Sequence, residues 1–233
     1  MIAAQNARSP SRTGEGRGRR WLIAGAALIL IVGLLMIARS ATLPWFGGDD
    51  PSGVRLSNAF LYQQQRSLSC EFASVHIAAT MTGYSLSEYE VESLVPLHEN
   101  PHKGYRGNIL GEWGNTTDYG VYNAPLALAL DGLGIPHRAY YGDREDLERD
   151  LRAGRPVVVW LGMRGEGYSH DQWDAEGDRY QLTTYMHVMT AYGFDDEGVY
   201  LTDPGTAVWR FYAWDEYLAM WDVMDGMALA VGD

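Results

Sequence analysis

Apolar and polar positions divide the chain into three stretches. Trp21 to Ile37 is a run of seventeen residues without a charge, with no polar face. Up to about Gly134 the later segments carry helix signals, and from Pro136 onward strand-like runs dominate. In the helical stretch, Ser69 is an N-cap candidate for a helix from Cys70 to about Thr82, closed by Gly83. Phe72, Val75, Ile77 and Met81 are its expected core contacts. Ser85 with Glu88 predicts a capping box for a second helix that ends before Pro96. Residues 97–122 form a long Gly-, Asn- and Tyr-rich loop, and Asn123 with Pro125 starts a third helix that stops at Gly132 or Gly134.

The strand-rich part begins with Pro136–Tyr141, followed by a charged helix over Asp143–Ala153 and a buried strand over Pro156–Leu161. Residues 164–180 read as a polar loop. Thr183–Phe194 and Val199–Asp203 are predicted strands joined in a hairpin through Asp195-Asp196-Glu197-Gly198. Ala207–Tyr212 is another strand, then a short helix from about Asp215, then a final strand over Met227–Val231. Helices first and a mostly antiparallel sheet second is the α+β pattern.

Charge changes the picture at the N-terminus. Residues 1–40 hold six arginines and one acid, a net +5; with −12 in total, residues 41–233 carry −17. An acidic domain is repelled by phosphates, which argues against a nucleic-acid partner. Residues 1–20 are Arg-, Ser- and Gly-rich and are expected to be a disordered cytoplasmic tail. The apolar run would be about 26 Å long as a helix, near the lower limit for a bilayer core. Residues 21–38 are thus expected to be a transmembrane signal-anchor, with the arginines before it keeping the N-terminus cytoplasmic and the rest outside. Cleavage after Ala38-Arg39-Ser40-Ala41 would release the domain instead. Residues 39–56 read as a linker, and 57–233 as one domain that begins to fold near Val54.

The candidate chemistry centres on Cys70, the one cysteine in 233 residues. Cysteine attacks as thiolate, and a helix N-terminus and a nearby imidazole both favour that form. His187 lies in a strand between Met186 and Val188, and Asp203 lies across the hairpin. Both numbers are odd, so the side chains share a face only if the pairing contains an odd loop or a bulge, which Gly198 could supply. Each has a plainer reading: a core histidine, and turn chemistry in Asp203-Pro204-Gly205. Gln64, six residues before Cys70, could donate its amide to an oxyanion beside the Cys70 N–H.

The run Gln64…Ser69-Cys70-Glu71-Phe72-Ala73-Ser74, with His187 and Asp203 sixteen apart, resembles the family thirty-nine-like group of papain-fold cysteine peptidases. These are relatives of the double-glycine-leader (bacteriocin-processing) peptidases. The family order of glutamine, cysteine, histidine and aspartate maps onto Gln64, Cys70, His187 and Asp203. His98–Gly104 and Tyr119-Gly120-Val121-Tyr122 resemble the exported, domain-only members, and no Gly-x-x-x-x-Gly-Lys-[Ser/Thr] phosphate loop is present. The resemblance implies a papain-like α+β fold and thiol peptidase or amide acyl-transfer chemistry on a peptide or other amide. No metal or organic cofactor enters that chemistry. Two other readings stay open. One is a catalytically silent surface binding domain. The other is a zinc peptidase on His98-Glu99-Asn100-Pro101-His102, which Pro101 opposes because the motif needs a helix.

Overall fold

A computed structural model describes residues 52–233. The predicted tail, the apolar span and most of the linker lie outside the described residues. Among the described residues no helix is long and apolar enough to cross a membrane.

The helical part consists of α1 (Cys70–Met81), α2 (Glu88–Ser93) and α3 (Asn123–Gly132). Ten of the twelve residues of α1 are buried, which explains why the helix has no polar face. Phe72 and Val75 join one core cluster, while Ile77 and Met81 join the other. Ser69 stands at the N-cap without capping; its hydroxyl donates to Glu88 (2.9 Å). The capping box of α2 is Ser87 with Glu90, two residues beyond the expected Ser85–Glu88 pair. Glu88 is fully buried and accepts from Gln65 N (2.7 Å) as well as Ser69, so it holds the segment before Cys70 instead of capping a helix. Asn123 opens α3 as its first residue, with Tyr122 at the N-cap, and its amide donates to Tyr140 O and Ala228 O.

The strands are β1 (Val54–Arg55), β2 (His137–Tyr141), β3 (Val157–Gly162), β4 (Ser169–Trp173), β5 (Arg179–Thr183), β6 (Met186–Phe194), β7 (Gly198–Asp203), β8 (Val208–Ala213) and β9 (Met227–Val231). The charged helix α4 (Arg144–Arg152) follows β2, and α5 (Trp214–Trp221) follows β8. The main sheet runs β2-β9-β3-β6-β7-β8, with β1 beside β6, and every pairing is antiparallel. Its strands alternate between two cores: Val158 and Trp160 join α1, α2 and α3, whereas Val157, Val159 and Leu161 join α4 and α5.

Three expectations about strands need correction. The predicted loop 164–180 is largely structured, with a short 3-10 turn over Glu166–Tyr168 and the hairpin β4–β5. The single strand expected over Thr183–Phe194 is broken at Tyr185, whose φ of 60° is incompatible with an extended strand. The bulge lies not at Gly198, which pairs with Ala213, but between Ala191 and Gly193.

The long loop 97–122 is tied down at several points. Tyr105 donates to Leu68 O (2.7 Å), and Lys103 pairs with Asp174 (2.7 Å) and Asp178 (2.7 Å) beside the β4–β5 turn. The Tyr105 bond sets the loop against the start of α1, and the Lys103 pairs hold it to the β4–β5 turn.

Candidate active site

The bulge decides which face His187 presents. Thr190 pairs with Thr202 and Ala191 with Leu201, but Gly193 pairs with Tyr200, so Tyr192 is the extra residue. Continuing the Thr190–Thr202 register by one step puts Asp203 level with Met189, on the same side as His187 two residues away. Without that extra residue His187 would point to the opposite face. On the other flank Asp203 pairs with Val208, so Arg210 lies diagonally across from it.

Asp203 is consequently surrounded by donors. Its Oδ1 accepts from His187 Nε2 (2.8 Å) and Gly205 N (2.9 Å). Its Oδ2 accepts from Thr206 Oγ1 (2.9 Å) and from Arg210 Nε (3.1 Å) and Nη2 (2.9 Å). Burial would raise its pKa, but the bonds from His187, Arg210 and Thr206 outweigh that and hold the carboxyl well below the usual range. An ionised carboxylate only accepts, so His187 Nε2 carries a hydrogen and Nδ1 is left as the free ring nitrogen. Gly205 lies under this pair: a Cβ there would stand 3.2 Å from both Asp203 Oδ1 and His187 Cε1.

Past the Thr190–Thr202 pair, β6 and β7 part, and a cleft of about 390 Å³ opens there. Gln64, Cys70, His187 and Asp203 all line it, so the four residues singled out from the sequence meet at one place. Helix α1 is fixed beside β6 by Ser74 Oγ donating to Val188 O (3.3 Å) and Thr190 Oγ1 donating to Ser74 O (3.0 Å). Trp113, from the long loop, donates to Met186 O (2.7 Å) and turns its ring edge-on to His187 at 6.3 Å.

Two of the four are not in the arrangement expected of them. The thiol of Cys70 is buried, with 6% of the residue exposed, and donates to Glu71 Oε2 (3.4 Å) instead of to His187. Burial pushes the thiol pKa well up and the Glu71 carboxylate adds to this, while the main chain of Val188 and of Glu71 works the other way. The helix N-terminus expected to favour thiolate is thus outweighed in this resting arrangement. The Gln64 amide donates to Arg66 O (2.8 Å) and Ser67 O (2.8 Å), using both its hydrogens on its own loop. Its Oε1 is buried without a partner.

Sequence reasoning missed Glu71, Trp113 and Arg210. Glu71 reads as an ordinary acid in a first helical turn, Trp113 lies in a loop without period, and Arg210 becomes a partner only through β7–β8 register. The His98–His102 segment is a turn rather than a helix, with His98 accepting from Asn100 N (2.9 Å) and His102 packed on Tyr122 at 4.7 Å. Among the described residues no group of three or more candidate ligands could hold a metal ion.

Comparison with known proteins adds to this geometry. Residues 57–229 match the model of the Peptidase_C39-like family. The chain belongs to that family. A crystal structure from Bacillus anthracis, described as a C39-like peptidase, is 24% identical, with a TM-score of 0.65. The alignment spans 78% of this chain and 98% of that one. The C39-like chain shares that fold, and the mostly antiparallel sheet with its few helices is the papain-like arrangement expected from the resemblance. The peptidase domain of Streptococcus ComA, a bifunctional ABC transporter of a quorum-sensing pathway, is 16% identical over 75% of this chain and 99% of that one, with a TM-score of 0.48. Xylellain, a cysteine protease from Xylella fastidiosa, is 12% identical over 78% and 86%, with a TM-score of 0.39. Overlap at those two scores does not establish a common fold. No curated protein matches the sequence.

Proposed function

We propose that this C39-like chain is a cysteine peptidase or amide acyl-transfer enzyme that works on the outer side of a membrane, anchored through residues 21–38. Cys70 Sγ attacks the amide carbonyl, and His187 Nδ1 takes the thiol proton and later returns it to the leaving amine. Asp203 keeps His187 in the tautomer that leaves Nδ1 free. The Cys70 N–H, unpaired within the helix because it lies in the first turn, faces the developing oxyanion. Gln64 joins it once its amide turns away from Arg66 O and Ser67 O. The observation that carries this reading is the His187–Asp203 bond (2.8 Å) in the cleft that Cys70 also lines. The lining of Leu68, Trp113, Met163, Met186 and Met189 suits a peptide or other amide with apolar side chains beside the scissile bond.

A silent binding domain is the second reading, and the buried thiol turned toward Glu71 favours it. Labelling by a thiol-directed peptide probe separates the two. Wild-type protein is expected to be labelled, and to cleave or transfer an amide in a substrate-profiling screen, with Cys70→Ala losing both. Activity that survives in Cys70→Ala removes Cys70 as the nucleophile and with it the enzyme reading. A thiol that never labels leaves the binding domain.

A further inference from the structure

One titratable group in contact with the nucleophile has no part in that mechanism. Glu71 is fully buried, next to the nucleophile, and no Lys or Arg among the described residues pairs with it. Its Oε1 accepts from Val121 N (3.0 Å), and its Oε2 faces the Cys70 sulfur at 3.4 Å. The site is built around this carboxylate. A Cβ at Gly120, where φ is +142°, would stand 1.8 Å from Glu71 Oε1, so only glycine leaves room for it.

We propose that Glu71 is a positioning residue for the nucleophile: its carboxylate, while ionised, takes the hydrogen bond of the Cys70 thiol and holds the sulfur un-ionised. This rests on the reading of Cys70 as nucleophile. Forming the thiolate then takes two proton movements. One proton passes from solvent to Glu71 Oε2, and one from Sγ to His187 Nδ1. Sulfur keeps the electron pair, and the new Glu71 hydroxyl donates to it across the same contact. The charge on the thiolate is balanced by the imidazolium, and Asp203 remains ionised throughout.

The surroundings favour such an exchange. Burial pushes the Glu71 carboxyl up to about 7, even though the Val121 N–H and the thiol stabilise its ionised form. The other titratable groups facing the pair are the phenols of Tyr105 and Tyr119 from the long loop, both raised by burial and by Glu71, and His187 of β6 with Asp203 behind it. The phenols stay neutral, so among these groups Glu71 is the one in contact with the thiol that changes charge near neutral pH.

The test is the pH profile of iodoacetamide alkylation in the full-length chain, comparing wild type with Glu71→Gln and using Cys70→Ala as the blank. Glutamine keeps an acceptor for Val121 N but carries no charge. The apparent thiol pKa is expected to fall by one unit or more in Glu71→Gln, so that alkylation at pH 8 speeds up about ten-fold or more. A profile that coincides with wild type, or moves upward, overturns the proposal. A reciprocal measurement uses wild-type protein alone, following the Glu71 carboxyl by 13C NMR before and after capping the thiol with methyl methanethiosulfonate. Loss of the S–H donor is expected to move the Glu71 titration to higher pH, and an unmoved titration overturns the proposal. Amide activity retained by Cys70→Ala would refute the nucleophile reading while leaving both measurements interpretable.

Discussion

Two buried carboxylates each contact one member of the Cys70–His187 pair, and their surroundings push them in opposite directions. Asp203 receives five hydrogen bonds, two of them from Arg210, and is held ionised. Glu71 receives one backbone N–H and a thiol, and burial lifts it to about 7. Burial disfavours charge at both sites; the number and charge of the donors decides the outcome. The Asp203–His187 pair is therefore electrostatically settled, whereas the Glu71–Cys70 pair is poised between two states.

The largest test of that contrast is Asp203→Asn. The amide cannot present an acceptor both to His187 and to the Arg210–Thr206 side, so one face meets a donor. Labelling by a thiol-directed peptide probe is expected to slow about 10²-fold or more, the scale of a lost general base. An unchanged rate would mean that Asp203 does not orient His187.

Next in size is the pH dependence of stability, which has opposite signs at the two sites. A carboxyl raised in the native state costs stability when ionised. Lowering the pH from above 7 through about 4.3, the unfolded value, should thus gain roughly 4 kcal/mol from Glu71 alone. Asp203, depressed in the native state, contributes stability that is present above about 3.9 and lost as the pH falls through its native value. Urea unfolding of Glu71→Gln should lack the gain between pH 7 and 4, and that of Asp203→Asn should lack part of the loss below pH 4. Parallel curves for wild type and Glu71→Gln would remove the contrast.

Two glycines provide the smaller comparison. Gly120→Ala places a methyl 1.8 Å from Glu71 Oε1 at a φ of +142°, and is expected to cost about 2 kcal/mol or more in thermal unfolding. Gly205→Ala meets Asp203 and His187 at 3.2 Å and is expected to stay within about 1 kcal/mol. Equal losses would mean that the Glu71 cradle is no tighter than the turn beside His187.

How much of this was legible in advance depended on whether the signal was local. The bounds of α1 are legible from Ser69 at the N-cap position and Gly83 after its end, fifteen residues in all, although the Ser69 hydroxyl turns to Glu88 and makes no cap bond. Ser85–Glu88 and Ser87–Glu90 overlap as capping-box patterns, and only the packing of Glu88 against Ser69 and Gln65 separates them. The hairpin β4–β5 is not legible in the sequence because its alternation is weak and polar, and its anchoring through Lys103 comes from a loop about seventy residues away.

The sequence by itself determined the helix that carries the thiol, the strands that carry His187 and Asp203, and the family order of the four residues. These depend on neighbours in the chain, on periodicity and on residue type. Tertiary structure alone decided that His187 and Asp203 share a face, because the deciding Tyr192 bulge belongs to a pairing between strands. It also decided the state of the nucleophile. Charge on Cys70 depends on burial and on where the Glu71 carboxylate turns, and those are set by Gly120 and Val121 some fifty residues further along the chain.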